Sequence, residues 1–327
     1  MTENFRNARI LITGGLGFIG SNLARRLVAS GAKVTLVDSL IPEYGGNIFN
    51  ISDFRNKVTV NISDVRDPHS MRYLIQDHQY LFNLAGQTSH MDSMQDPFTD
   101  MEINCHAQLS ILEACRNYNP DIKVIFASTR QIYGKPDYNP VDENHPVRPA
   151  DVNGINKMAG EWYHILYNNV YGIRTSVLRL TNTYGPGMRI KDARQTFLGI
   201  WIRLILENKP FEVWEGNQRR DFTYIDDAID AFILAATNPK ANGKVFNIGG
   251  SPPISLKALA DLLIGVNGSG EYEQKSYPED RKKIDIGDYF TNYNLISHEL
   301  GWEPKVSLRD GLTRTLEYYR KNLICYL

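Results

Sequence analysis

Seven short runs of branched apolar residues recur along the chain, and each predicts a buried β-strand. Apolar residues at helical spacing, such as Ile19, Leu23 and Leu27, lie between most of these runs. Strands that are apolar on both faces and alternate with helices are typical of a parallel sheet covered on both sides. The pattern therefore predicts an α/β fold with a doubly wound parallel sheet. The runs are ARILIT (8–13), KVTLVD (33–38), KVTVN (57–61), YLFNLAG (80–86), DIKVIFAS (121–128), IRTSVLRL (173–180) and KVFNIGG (244–250).

The regular alternation ends near residue 180, which suggests a second, smaller unit. We expect residues 1–180 to form the first domain and residues 223–248, with a helix-then-strand pattern, to return to it. Residues 181–222 and 249–327 contain one helix candidate, FLGIWIRLILENK, one strand candidate, FEVWEG, and a tail rich in glycine, proline and charge. They are predicted to form a smaller α/β C-terminal domain.

Composition restricts the classes of partner. The 327 residues are 42% hydrophobic and 22% charged, as in ordinary globular proteins, and the net charge of -1 includes no block of like charge. Nucleic acid and membrane surfaces are therefore not expected partners. The apolar runs are too short for a spanning helix of roughly 20 residues. Three cysteines without metal-ligand spacing and a polar N-terminus predict a cytoplasmic protein with no metal site.

The segment TGGLGFIG at 13–20 places three glycines between the first strand and the first helix. Gly14, Gly17 and Gly20 allow a tight turn and the close approach of a pyrophosphate to the helix N-terminus, where Phe18 and Ile19 also lie. This spacing predicts a dinucleotide site. The alternative is that the glycines serve only close packing of the helix on the strand.

Acidic and apolar residues at the neighbouring strand ends extend this predicted site. Asp38, 24 residues after Gly14, can accept hydrogen bonds from ribose hydroxyls and repel a 2′-phosphate, which favours NAD over NADP. A helix-capping aspartate is the alternative. Asp64 can receive the adenine amino group, and a turn or N-cap role is the competing interpretation. Three apolar residues, Val65, Leu84 and Ala85, are assigned to the same site.

Several motifs together make the chain similar to the extended short-chain dehydrogenase/reductases, specifically the NAD-dependent nucleotide-sugar epimerase/dehydratase family. The resemblance covers nearly the whole chain and rests on motifs in the family's order. They are TGGLGFIG (13–20), NLAGQTS (83–89), STRQIYG (128–134), NGINKMAGE (153–161), RLTNTYGP (179–186) and RRDFTYIDD (219–227).

The resemblance implies a Rossmann-type NAD domain and a C-terminal domain that binds a nucleoside-diphosphate sugar. It also implies a homodimer formed through the helices near 99–118 and 154–170. In the family, a tyrosine four residues before a lysine removes the proton of the sugar hydroxyl. Ser128 would hydrogen-bond the reacting oxygen, with Thr129 beside it, and Lys157 would lower the pKa of the tyrosine and hold the nicotinamide ribose.

The chain departs from this pattern because Asn153 occupies the position of the tyrosine. An amide can hold a hydroxyl but cannot take its proton in the useful pH range. The proton is taken elsewhere, the chemistry is lost, or the asparagine is an engineered or sequencing change. Lys157 with a lowered pKa and His90 are the candidate substitute bases, and a structural role is the alternative for His90.

The substrate side resembles the family in part. Dehydratases of the family carry Asp-Glu where this chain has Arg130 and Gln131, so sugar 4,6-dehydration is not expected. Arg130 is expected either to pair with a carboxylate or phosphate of the substrate or to face solvent. Family positions that hold the diphosphate and nucleoside correspond to Asn182, Arg220 and Arg281, although surface ion pairs are the alternative for the arginines. The segment DARQTFLG is expected to pass close to the base, with Thr196 and Phe197 as contacts.

These observations predict an NAD-dependent epimerase or isomerase that acts on a nucleoside-diphosphate sugar through a transient keto intermediate, with a proton acceptor other than tyrosine. Two alternatives stay open. One is a catalytically silent protein that binds NAD and a nucleotide sugar as a sensor or scaffold. The other is a net dehydrogenase or reductase that releases a keto sugar.

Overall fold

The computed structural model describes residues 5–250 and 252–327, without the side chains of Pro42, Asp280 and Arg281. A sheet of seven parallel strands forms its centre, in the order β11-β6-β5-β4-β1-β2-β3. Each of the seven predicted runs supplies one of these strands. They are β1 (Arg9–Thr13), β2 (Lys33–Asp38), β3 (Val58–Ile62), β4 (Tyr80–Asn83), β5 (Lys123–Thr129), β6 (Arg174–Leu180) and β11 (Lys244–Ile248).

Helices connect the strands and cover both faces of the sheet, which confirms the predicted doubly wound fold. They are α1 (Phe18–Ala29), α2 (Pro68–Ile75), α3 (His90–Gln95), α4 (Pro97–Met101), α5 (Ala107–Tyr118), α6 (Val152–Tyr171), α7 (Phe197–Leu206), α8 (Ile225–Thr237), α9 (Leu256–Asn267), α10 (Glu279–Lys282), α11 (Asn294–Leu300) and α12 (Leu308–Asn322). A π-helical turn, Glu102–His106, joins α4 to α5.

Three pairs of short strands lie outside the central sheet, mostly within residues 181–222 and 249–327, which form the second lobe. Two pairs are parallel and one is antiparallel. The pairs are β7 (Asn182–Tyr184) with β10 (Phe222–Tyr224), β8 (Phe211–Trp214) with β13 (Tyr272–Lys275), and β9 (Arg219–Arg220) with β12 (Ile254–Ser255).

Parallel pairing brings the carboxyl ends of the central strands to one edge of the sheet. Thr13 at the end of β1 is the register partner of Asn83 at the end of β4, and its hydroxyl donates to the Asn83 side chain at 2.8 Å. Thr129 ends β5 at the same edge. Ligands of open parallel sheets bind at such an edge.

One apolar cluster extends from the central sheet into the second lobe. It includes Ile12 of β1, Leu178 of β6, Trp201 of α7 and Leu259 of α9, all of which are buried. The assignment of residues 181–222 and 249–327 to a separate domain therefore stays a prediction. Among the described residues, no helix is long and apolar enough to cross a membrane, and no group of side chains is arranged to hold a metal ion.

Candidate active site

A cleft opens over the carboxyl ends of the central strands, where most of the predicted site residues meet. The predicted residues that line it are Gly14, Gly17, Phe18, Ile19, Gly20, Asp38, Asp64, Val65, Leu84, Ala85, His90, Ser128, Thr129, Asn153, Lys157, Asn182 and Thr196. Residues from the first lobe form most of this wall, and the segments after β6 contribute the remainder.

The glycine turn between β1 and α1 is too tight for side chains at two positions. Gly14 has a φ of +67°, and a Cβ there would lie 3.0 Å from the backbone nitrogen of Ala85. A Cβ on Gly20 would lie 2.2 Å from the carbonyl oxygen of Gly14. The turn therefore presents bare backbone to the cleft at the N-terminus of α1, as a pyrophosphate site requires.

Asp38, the last residue of β2, lies beside the glycine turn. Its carboxylate accepts hydrogen bonds from the backbone nitrogens of Leu16 at 3.0 Å and Leu40 at 2.9 Å. Burial raises the pKa of Asp38, and these amides act in the opposite direction. Each carboxylate oxygen keeps capacity to accept a further hydrogen bond, so the geometry is compatible with ribose hydroxyls.

Asp64 follows β3 and is held by its own turn. Its carboxylate accepts from the Arg66 backbone nitrogen at 2.9 Å and from the Arg66 Nη2 at 2.7 Å. The Arg66 hydrogen bond holds the pKa of Asp64 below its usual range. The role of Asp64 toward adenine stays a prediction, because this geometry also fits the alternative of a turn aspartate.

Lys157 lies on α6 and lines the cleft. Its Nζ donates to the carbonyl oxygen of Ala127 at 3.2 Å and lies 5.0 Å from the centre of the Phe126 ring. Within the described part of the chain it forms no ion pair with a carboxylate. Burial lowers the pKa of Lys157 to about 8, although the charge of Asp100 acts in the opposite direction. A large fraction of Lys157 is therefore neutral near that pH.

Asn153, one helical turn before Lys157, belongs to a buried polar cluster. Its Nδ2 donates to the carbonyl oxygen of Gln87 at 2.8 Å and to Asp100 Oδ2 at 3.0 Å. The residue is only 2% exposed. These two bonds use both protons of the amide nitrogen, so the group that Asn153 can offer to a ligand is its carbonyl oxygen.

Ser128 and Thr129 end β5 but point to different partners. The Ser128 hydroxyl donates to the fully buried Glu161 at 2.7 Å, and Glu161 also forms an ion pair with Arg179. The Thr129 oxygen accepts from the backbone nitrogen of Gln131 at 3.2 Å and caps the short helical turn that follows. Thr129 keeps its hydroxyl proton for a ligand, whereas that of Ser128 is used by Glu161.

His90 begins α3 at the edge of the cleft. Its Nδ1 lies 2.8 Å from the carboxylate of Asp151, which in turn accepts from the Gly154 backbone nitrogen at the start of α6. Burial raises the pKa of Asp151, but the contacts with His90, Gly154 and Gln131 outweigh it, and the net pKa is lower than usual. His90 therefore lies beside the carboxylate that caps the N-terminus of α6.

Comparison with known proteins identifies the family. The family described as "NAD dependent epimerase/dehydratase family" matches residues 10–249. The chain belongs to this family. Its predicted dependence on NAD is confirmed at the level of the family, and the glycine turn and Asp38 fit that cofactor.

Similarity to individual members of the NAD-dependent epimerase/dehydratase family extends over nearly the whole chain. A putative UDP-glucose 4-epimerase of Methanocaldococcus jannaschii is 33% identical over 96% of this chain and 99% of its own length. A dTDP-glucose 4,6-dehydratase of Streptomyces niveus is 29% identical over 96% of this chain and 93% of its own length. The crystal structure of the UDP-glucose 4-epimerase of Thermotoga maritima with UDP-glucose has a TM-score of 0.88 and 31% identity, covering 96% of this chain and 99% of that one.

Two of the residues that the family predicts to contact substrate, Phe197 and Arg220, are not among those that line the cleft. Phe197 packs against Trp201, with ring centres 5.0 Å apart. Arg220 is buried, and its Nη2 lies 3.2 Å from Asp285 Oδ1. The side chain of Arg281 lies outside the described residues. Their roles toward a substrate stay predictions.

The structure also adds residues that the sequence did not single out. Tyr44 and Gln195 both line the cleft, and Gln195 Nε2 donates to the Tyr44 carbonyl oxygen at 2.9 Å. The adjacent Gly45 has a φ of +87°, so the glycine pair in PEYGG was a signal for a tight turn. Asp100 gave no signal, because two of its three amide partners, Asn153 and Asn156, lie 53 and 56 residues away in the sequence.

Proposed function

We propose that the chain is an epimerase of nucleoside-diphosphate sugars in which Lys157, and not a tyrosine, takes the proton of the sugar hydroxyl. The observation that carries this proposal is the state of Lys157: its amine is buried, has no carboxylate partner among the described residues, and has a pKa lowered to about 8. A neutral amine is a competent base, whereas the amide of Asn153 is not.

The residues divide the proton chemistry between them. Thr129 holds the reacting oxygen, and the Asn153 carbonyl accepts a hydrogen bond from the sugar. Lys157 takes the proton as the alcohol becomes a ketone, and returns it to the same oxygen after the sugar has presented its other face. When bound, NAD supplies the reversible hydride acceptor that this oxidation requires. The proton and the hydride both return, so the product is a stereoisomer of the substrate.

Two other groups are weaker candidates for the base. His90 lines the cleft only at its edge, where its Nδ1 lies beside the Asp151 carboxylate. Tyr133 is buried away from the cleft, where its hydroxyl donates to Asn247 at 2.7 Å and accepts from Arg179 at 2.6 Å. Burial raises the pKa of Tyr133 to about 12, which disfavours proton uptake by its phenolate near neutral pH.

The surroundings of Arg130 and Gln131 favour epimerisation over dehydration. A dehydratase needs an acid and a base to eliminate water from the sugar. Gln131 donates its side-chain amide to Asp151 at 2.9 Å, and Arg130 is a cation that does not give up its proton. The relatives named as UDP-glucose 4-epimerases support uridine-linked hexoses as the first substrates to test.

The test is turnover of nucleotide sugars by the purified protein and by matched variants at residue 157. We expect the protein to convert a UDP-hexose to its epimer without added cofactor. Lys157→Met removes the amine, and Lys157→Arg keeps a cation that cannot act as a base, so both are expected to lower turnover by about 10²- to 10⁴-fold. His90→Asn serves as the control and is expected to keep most of the activity. Activity in Lys157→Arg, or its loss only in His90→Asn, would reject Lys157 as the acceptor.

A catalytically silent binding protein is the second candidate, because the buried Asn153 amide replaces the family's usual base. It predicts that UDP-hexoses raise the melting temperature of the protein and yield no product. In that case Asn153→Tyr is the variant expected to gain activity. Product formation by the unmodified protein would exclude this candidate.

We also propose that the protein is a homodimer. Four large apolar side chains form one stripe along α6: Ile155, Trp162, Leu166 and Val170, which are 50%, 55%, 48% and 61% exposed. Such a stripe is costly in water, and a second copy of the same helix covers it around a two-fold axis.

A further inference from the structure

Arg130 lies at the end of the cleft where the proposed proton chemistry takes place. It follows Thr129 directly in the chain, lines the cleft and is half-buried. Its Nη2 donates to the Asn182 side-chain oxygen at 2.9 Å, and its guanidinium carbon lies 5.4 Å from the centre of the Tyr289 ring. The ring and the amide therefore hold the guanidinium in one orientation.

The charge of Arg130 has no direct carboxylate partner among the residues that the structure describes. No carboxylate of a described residue forms an ion pair with it, although Asp221 and Asp285 are near enough to favour its charged form. Burial lowers the pKa of Arg130 to about 10, and the nearby charge of Arg220 acts in the same direction. Arg220, by contrast, is paired with Asp285. A guanidinium held in a partly buried cleft without an anion is a ready site for one.

We propose that Arg130 binds a carboxylate on the sugar, so that the substrate is a nucleoside-diphosphate hexuronate or another acidic sugar. This inference rests on the proposed function. The position of Arg130 favours the sugar over the diphosphate, because the residue adjoins Thr129 and the same strand end that Lys157 contacts through Ala127. A forked guanidinium meets both oxygens of a carboxylate, which a neutral hydroxymethyl group cannot match.

The test compares the affinities of neutral and acidic sugars for the NAD-saturated protein by calorimetric titration. UDP, dTDP and GDP are titrated first, and the nucleotide that binds best is then used as its glucose and glucuronate (for GDP, mannose and mannuronate) derivatives. We expect the acidic sugar to bind about tenfold more tightly or better than the neutral one. Arg130→Met should abolish this ratio and leave the affinity for the free nucleotide unchanged. Arg130→Lys should retain part of the ratio, and Arg148→Met, at an exposed arginine paired with Asp137, should leave it intact.

The outcomes separate this inference from the proposed function. Equal affinities for the neutral and acidic sugars, or a preference that survives Arg130→Met, would overturn the carboxylate site and leave the epimerase proposal standing. A loss of affinity for the free nucleotide in Arg130→Met would assign the residue to the diphosphate and also overturn the inference. Failure of every nucleotide and nucleotide sugar to bind would overturn both.

Discussion

Asp100 holds Asn153 in place: its Oδ2 accepts a hydrogen bond from the Asn153 amide nitrogen at 3.0 Å. The same fully buried carboxylate accepts from Asn104 at 3.1 Å and from Asn156 at 2.8 Å. Three amides therefore satisfy one buried charge, and that charge raises the pKa of the nearby Lys157. The position of Asn153 is thus part of a network that also adjusts the proposed base.

Asp100→Asn is expected to change both stability and the pH dependence of turnover. The new amide nitrogen would replace one of the two accepting oxygens and face at least one amide donor, which should lower the free energy of unfolding by about 1–3 kcal/mol. Removal of the negative charge should lower the pKa of Lys157 further below about 8. The rate, which should rise with pH as Lys157 loses its proton, would then rise at lower pH. Urea unfolding and a pH–rate profile measure the two effects. Asp137→Asn, an exposed aspartate, is the control, and an unshifted profile in Asp100→Asn would contradict the role of Lys157.

Gly20→Ala is expected to weaken NAD binding. The added methyl group would lie 2.2 Å from the carbonyl oxygen of Gly14 and displace the turn, with a loss of affinity of about tenfold or more. Gly265→Ala is the matched control, because a Cβ at that position in α9 meets no atom within 4 Å. Titration of each variant with NADH, followed by fluorescence, gives the affinities. Equal affinities for the two variants would show that the turn does not hold the cofactor.

Thr129→Val is expected to reduce turnover, whereas Ser128→Ala is expected to reduce stability. Loss of the Thr129 hydroxyl should reduce turnover by about 10²-fold, as loss of a positioned donor does, while Thr129→Ser should keep the activity. Ser128→Ala removes a donor to Glu161, which Arg179 still neutralises, and should cost about 1 kcal/mol of stability with little effect on turnover. Steady-state kinetics and thermal unfolding distinguish them. A large loss of turnover in Ser128→Ala alone would show that Ser128, and not Thr129, holds the reacting oxygen.

Trp162→Glu combined with Leu166→Glu is expected to convert a dimer to a monomer. These side chains are 55% and 48% exposed on the same face of α6, and two charges would oppose burial of that face. Sedimentation velocity gives the mass of each form. Ile324→Glu, at a side chain 82% exposed near the C-terminus, should leave the dimer intact. A monomeric unmodified protein would exclude the proposed interface.

The sequence predicted the central sheet because each strand carries its own apolar run, with glycine or polar residues at its end. Local patterns of this kind do not depend on distant residues, and all seven runs form strands. The glycine turn was predictable for the same reason, since its conformation is set within eight residues, 13–20.

The partners of the side chains were less predictable, because tertiary contacts decide them. Ser128 matches the family's pattern, but its hydroxyl bonds to Glu161, 33 residues further along the chain. The sequence predicts that Phe197 and Arg220 contact the substrate. In the structure, however, Phe197 packs against Trp201, and Arg220 forms an ion pair with Asp285. A local sequence motif does not show whether a side chain will contact a ligand or a buried neighbour in the folded protein.

The unbroken apolar packing between the sheet and the second lobe limits how ligands can enter and leave. A hinge that separated the lobes would divide this apolar cluster and expose part of it to water, so the lobes should melt as one cooperative unit in a calorimeter. Ligand exchange therefore does not require the lobes to separate, because the cleft is lined in part by surface segments such as those of Tyr44 and Gln195.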